Sequence, residues 1–156
     1  MSKNLPHIFL LFVISASLII LSGCNKQGGC TDPSAENFDP SAEVEDGTCA
    51  LQREKFLGIY SGFNQCIGSP AASFISEIIP ANGNLDDVII TNLGGRFTNT
   101  TRAIVDRNNL TIPLQDPDAN GTYVSGTGSI IGNLLSITYQ VTYLGEQDQC
   151  IYSLEK

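Results

Sequence analysis

The sequence predicts an all-β protein: an antiparallel, up-and-down meander of about eight short strands, closed into a small barrel or folded as a sandwich. Three observations predict it. From Phe56 onward, β-branched and aromatic residues dominate and are interrupted at short intervals by Gly, Asn, Asp and Pro. Leu135, Ile137, Tyr139, Val141 and Tyr143 alternate with Ser136, Thr138, Gln140 and Thr142, a period of two that buries one face and wets the other. No window carries the apolar period of an amphipathic helix.

Strands are expected at Phe56–Gln65, Ser73–Ile79, Val88–Leu93, Phe97–Val105, Leu110–Leu114, Tyr123–Ile131, Leu134–Tyr143 and Gln149–Leu154. Gly132-Asn133 lies between two apolar runs and predicts a two-residue hairpin link. Asp106-Arg107-Asn108-Asn109 and the stretch from Asp116 to Gly121 predict further turns. Cys66 falls at the end of the first predicted strand and Cys150 at the start of the last. In an even-stranded closed meander those ends are antiparallel neighbours, so a bridge there would staple the seam and remove the exposed edges. A sandwich with its first and last strands adjacent would accept the same bridge.

Upstream of this domain the texture differs. Lys3 precedes an apolar run from Ile8 to Ile20, shorter than the roughly 20 apolar residues of a membrane-spanning helix. A cationic start, a short apolar middle and small residues at the end describe a secretory signal. Leu21-Ser22-Gly23-Cys24 resembles the lipobox of bacterial lipoproteins. The resemblance implies cleavage before Cys24, acylation of Cys24 with fatty acids such as palmitate, and a membrane partner held through those chains. In such proteins the residue after the acylated cysteine influences sorting. Asn25 differs from the Asp of inner-membrane retention, which favours the outer membrane. The expected organisation is a signal peptide (1–23), a lipid anchor with a flexible spacer (24–29), an acidic Cys-clamped segment (30–49) and the β domain (51–156).

With Cys24 assigned to lipid, four of the five cysteines remain: Cys30, Cys49, Cys66 and Cys150. An exported chain with an even cysteine count predicts disulfides. Three pairings exist, and the domain plan favours Cys30–Cys49 with Cys66–Cys150.

The segment from Cys30 to Cys49 carries six acidic residues and no Lys or Arg. Its Asp-Pro and Asp-Gly pairs predict turns, and its few apolar residues cannot form a core. A bridge closing a loop of about 20 residues contributes ~3 kcal/mol. Asp32, Asn37, Asp39 and Asp46 offer hard oxygen ligands, a candidate structural calcium site, although the Asp-x-Asp-x-Asp-Gly ladder of an EF-hand is missing. Cys30, Asp32, Ala35, Asn37, Phe38, Ala42, Asp46, Gly47, Thr48 and Cys49 together resemble a short segment of exported Bacteroidetes-type proteins. That resemblance implies an extracellular setting and no activity.

Gly58-Ile59-Tyr60 resembles the Gly-x-aromatic opening of lipocalin-like domains. It implies a barrel that holds a small hydrophobic ligand, with Tyr60, Tyr139 and Tyr143 as candidate pocket residues. The alternative is that these rings fill the core.

Composition removes several function classes. The sole histidine, His7, lies in the signal segment, so no imidazole is left for a triad or a zinc site. Without the signal, 7 basic residues face 16 acidic ones, a net charge of −9 that repels nucleic acid. Asp86-Asp87 and Asp116/Asp118 are carboxylate pairs at predicted turns, where solvation explains them better than glycosidase chemistry. The expectation is a non-enzymatic cell-envelope lipoprotein with a structural or adhesive role and a protein or glycan surface as partner. A lipocalin-like carrier is the alternative, and an envelope hydrolase a distant third.

Overall fold

The computed structural model describes residues 26–156, so the signal segment and Cys24 lie outside the described residues. Two short strands, β1 (Gly28–Gly29) and β2 (Val44–Glu45), precede a 3-10 turn at Gln52–Lys55. Eight further strands follow: β3 (Gly58–Cys66), β4 (Ala72–Pro80), β5 (Asp87–Ile90), β6 (Thr101–Asp106), β7 (Asn109–Gln115), β8 (Thr122–Ile131), β9 (Leu134–Tyr143) and β10 (Glu146–Glu155). Each pairs antiparallel with the next, and β10 returns to β3, which closes the barrel. Closure leaves no free edge to recruit another strand. The sandwich is thereby set aside.

All eight predicted strands of the β domain are present, with altered ends. Phe56 caps the end of the 3-10 turn with a helical backbone and is fully buried there, so β3 starts at Gly58. The third strand stops at Ile90, because Asn92 takes a left-handed backbone (φ 51°) and opens a second 3-10 turn at Leu93–Gly95. Phe97 is buried from a loop and lies outside β6. The last strand begins at Glu146, earlier than predicted, because Leu144 and Gly145 (φ 50° and 87°) make a tight hairpin link from Tyr143. Both central residues of that link have the positive φ that matches strand twist. Leu-Gly is a weak sequence signal for it. The predicted Gly132-Asn133 hairpin is present, with Ile131 opposite Leu134.

Alternation along each strand sends one set of side chains inward. Val88, Ile90, Val124, Ile137, Tyr139, Tyr152 and Leu154 belong to one contiguous core. Each buried aliphatic or aromatic side chain contributes about 1.5–3 kcal/mol by leaving water. A narrow barrel also needs places where strands press together. At Gly62 an added Cβ would stand 1.9 Å from the Ser153 carbonyl oxygen, so only glycine lets β3 close against β10.

The turn at Gln52–Lys55 fastens one end of the barrel. Arg53 Nη1 donates to the Asn84 carbonyl (3.1 Å), and Lys55 Nζ to Asn108 Oδ1 (2.7 Å). Leu93 and Phe97, both buried, come from the connection between β5 and β6.

The two disulfides are Cys30–Cys49 and Cys66–Cys150. Cys66 and Cys150 are direct register partners across the β3–β10 seam. The spacer reading of residues 24–29 needs correction at its end. The Gln27 carbonyl accepts the Glu43 N–H at 2.9 Å, and Gly28–Gly29 pairs in parallel with Val44–Glu45. Residues 27–29 are part of the clamp.

Candidate functional site

Tyr60, Tyr139 and Tyr152 are fully buried inside the barrel, and their hydroxyls have partners. Tyr139 donates to Asn64 Oδ1 at 2.9 Å, while Asn64 Nδ2 donates to the Gly94 carbonyl at 3.2 Å. The Tyr152 hydroxyl lies 2.9 Å from Ser76 Oγ, which donates to the Asn92 carbonyl at 2.8 Å. Burial pushes the Tyr60 and Tyr139 phenols up to about 12 and raises Tyr152 as well. The pocket reading is corrected on two points. Tyr60 and Tyr139 fill the interior, and Tyr143, at the end of β9, is 51% exposed. Its alternation points inward, but the barrel ends before the ring can be covered.

The candidate calcium ligands are not brought together. Asp32, Asp39 and Asp46 recur at a spacing of seven, each followed two positions later by Ser34, Ser41 or Thr48. Asp32 Oδ1 accepts both the N–H and the hydroxyl of Ser34 (2.9 and 2.7 Å). Asp39 Oδ1 does the same with Ser41 (2.8 and 2.5 Å), and Asp46 Oδ1 with Thr48 (3.0 and 2.6 Å). The hydroxyl of Ser34 chiefly, then its N–H, holds the Asp32 carboxyl below its ordinary value, and Ser41 does this for Asp39. Asn37 is spent on the backbone of Thr48 and Ala50 (2.7 Å each). The Oδ1 atom of each Asp thus serves its own turn, while Asn37 ties the segment's two arms together. The repeat Asp-Pro-Ser-Ala-Glu at 32–36 and 39–43 was the sequence signal for these stacked turns.

The carboxylate pairs are structural. Arg102 Nε and Nη2 both donate to Asp87 Oδ2 (2.9 and 2.6 Å). Asp118 accepts the N–H groups of Asn99 and Thr98 (2.8 and 3.2 Å), which lowers its pKa, and Asp116 accepts Gly121 N–H at 2.7 Å.

On the outer wall the strand registers line up four serines and one phenylalanine in a single row across five strands. Ser129 faces Ser136, Ser136 faces Ser153, Ser153 faces Phe63, and Phe63 faces Ser73. These side chains are exposed, and the Phe63 ring is 64% exposed. They line an open groove of about 610 Å³, bordered by Ile131, Leu134 and Glu155. Sequence reasoning missed this site. Serines on the wet face of a strand are ordinary composition, and only register puts them in one line.

No family model matches the chain. A stretch of 21 residues is 76% identical to part of the chloroplastic ribulose bisphosphate carboxylase/oxygenase activase of Arabidopsis thaliana. It covers 14% of this chain and 4% of that protein, a fragment that assigns no family. Among the described residues, no helix is long and apolar enough to cross a membrane.

Proposed function

We propose that this chain is a non-enzymatic, lipid-anchored protein of the cell envelope that works as an adhesive module through the outside of its barrel. The observation that carries the reading is the contrast between a filled interior and an open outer groove in which serine hydroxyls lie beside exposed apolar side chains, Phe63, Ile131 and Leu134. A small-molecule carrier needs a hollow core. Here Tyr60, Tyr139 and Tyr152 occupy that space.

The groove chemistry suits a glycan. Phe63 offers an exposed ring for the apolar face of a sugar, and Ser73, Ser129, Ser136 and Ser153 both donate and accept hydrogen bonds. Glycan-array binding by the purified protein tests this. Phe63→Ala and Ser136→Arg should each weaken binding at least tenfold with no loss of stability. Binding that ignores both substitutions, or no binding to any envelope polysaccharide, rejects the groove.

Anchoring rests on Leu21-Ser22-Gly23-Cys24. Because the clamp begins at Gln27, acylation of Cys24 would leave only Asn25 and Lys26 between lipid and clamp, a reach of about 10 Å. The acidic clamp would then sit at the headgroups, in the outer membrane by the sorting resemblance. Mass spectrometry of the native amino-terminal peptide should find Cys24 as the first residue with added acyl mass. An unmodified Cys24, or a retained Met1, rejects the anchor.

A further inference from the structure

We propose that Cys66–Cys150 is a thiol–disulfide exchange site in which Arg96 receives the thiolate that exchange releases. Arg96 Nη1 lies 3.3 Å from Cys66 Sγ and 3.4 Å from Cys150 Sγ. Its Nη2 donates to Asp148 Oδ2 at 2.9 Å, which fixes the guanidinium over the bridge. A disulfide sulfur is a weak acceptor, whereas a thiolate carries a full charge. The guanidinium therefore favours the opened bridge over the closed one. A leaving thiol stabilised as its anion departs faster.

The clamp bridge has the opposite setting. Cys49 Sγ stands 3.1 Å from Glu45 Oε2. The Thr31 N–H chiefly, then that of Gly47, holds the Glu45 carboxyl below its ordinary value, so it stays ionised. A carboxylate there repels an incoming thiolate and disfavours a departing one. One molecule thus carries two bridges of contrary electrostatic poise.

The step balances without any other cofactor. Cys66 keeps 8% exposure while Cys150 has none, and a groove of about 530 Å³ lined by Arg96, Val141, Tyr143 and Asp148 leads to the guanidinium. The thiolate of a dithiol reductant attacks Cys66 Sγ, and a new S–S bond forms there. The Cys66–Cys150 bond breaks, and its electron pair stays on Cys150 Sγ beside Arg96. The second thiol of the reductant, as its thiolate, then displaces Cys66. Both cysteines end reduced, and the reductant leaves as its own disulfide. The seam keeps its ladder of hydrogen bonds but loses its covalent tie.

The test is graded dithiothreitol on the purified protein, with alkylation and peptide mass spectrometry reading each bridge separately. Arg96→Gln should slow opening of Cys66–Cys150 about tenfold and leave Cys30–Cys49 unchanged. Arg96→Lys, which keeps the charge, should lose less. Glu45→Gln should speed opening of the clamp bridge. In glutathione buffers the Arg96→Gln seam should become harder to reduce, by about 30 mV for each tenfold change in the equilibrium constant. A seam that opens as fast or faster in Arg96→Gln, with near-UV circular dichroism retained, overturns the proposal. Should that variant lose its fold, Arg96→Lys decides: its single-point cation cannot sit on both sulfurs at once, so it must open the seam more slowly than wild type, and an equal or faster rate overturns the proposal.

Discussion

Tyr139 and Asn64 share a hydrogen bond of 2.9 Å inside the barrel, and both are sealed from water. Asn64 is tied in turn to the Gly94 carbonyl, so a β9 side chain, a β3 side chain and the turn at Leu93–Gly95 form one polar chain. Cutting it by Tyr139→Phe leaves Asn64 Oδ1 buried without that donor. The expected cost is about 1–3 kcal/mol, read as a lower urea midpoint at unchanged m. A midpoint within error of wild type would mean that this bond does not matter.

Gly94 makes a sharper test of the same corner. Its φ is +57°, and a Cβ there would stand 2.2 Å from the Tyr139 hydroxyl oxygen. Gly94→Ala should destabilise by ~2 kcal/mol or more, through backbone strain and a displaced ring. Gly132, also at positive φ (59°) but with open space around it, should lose less on the same change. Denaturation of both variants side by side checks the difference.

The buried phenols make stability fall at high pH. Tyr60 and Tyr139 are pushed up to about 12, against an unfolded value of 10.0, because burial disfavours the phenolate. The folded state therefore binds the proton more tightly. Their contribution is fully present below pH 10 and is lost as pH rises from 10 toward 12. Urea midpoints between pH 8 and pH 12 should drop, and Tyr139→Phe should flatten part of that drop.

The acidic turns respond at the other end of the scale. Asp32, Asp39 and Glu45 all have lowered pKa values from hydrogen bonds that only the folded clamp makes. Their stabilisation is present above the ordinary carboxylate value and is lost as pH falls through the folded one. Amide resonances of Ser34, Ser41 and Thr31, and those of Thr98 and Asn99 beside Asp118, should shift below pH 4 while amides in the barrel strands hold. Because one oxygen of each Asp is engaged in its own turn and the three carboxylates do not converge, millimolar calcium at pH 7 should leave the same resonances unmoved. A calcium-dependent shift would restore the metal site.

Removing the seam bridge tests closure. The loop between Cys66 and Cys150 spans a sequence separation of 84, and in the chain-entropy picture its bridge stabilises by ~4.5 kcal/mol. The double variant Cys66→Ala/Cys150→Ala should lose most of that and still fold under native conditions. Cys30→Ala/Cys49→Ala should leave barrel unfolding almost untouched, because the clamp touches the barrel mainly through Gln52 and Lys55.

The sequence by itself determined the fold class, the strand count and the hairpin at Gly132-Asn133, because alternation and turn chemistry are local. It favoured one bridge pairing out of three, through cysteines placed at opposite ends of the first and last strands, and the structure made the choice. Only the tertiary structure decided between barrel and sandwich, since that depends on whether β10 meets β3. It alone revealed that Tyr143 emerges at the rim, that Asp32, Asp39 and Asp46 turn inward on their own loops, and that Arg96 rests on two sulfurs 30 and 54 residues away. The row of four serines and Phe63 across five strands belongs to the same class. Such contacts are set by register and closure, which sum over the whole sheet, and no stretch of the chain encodes them alone.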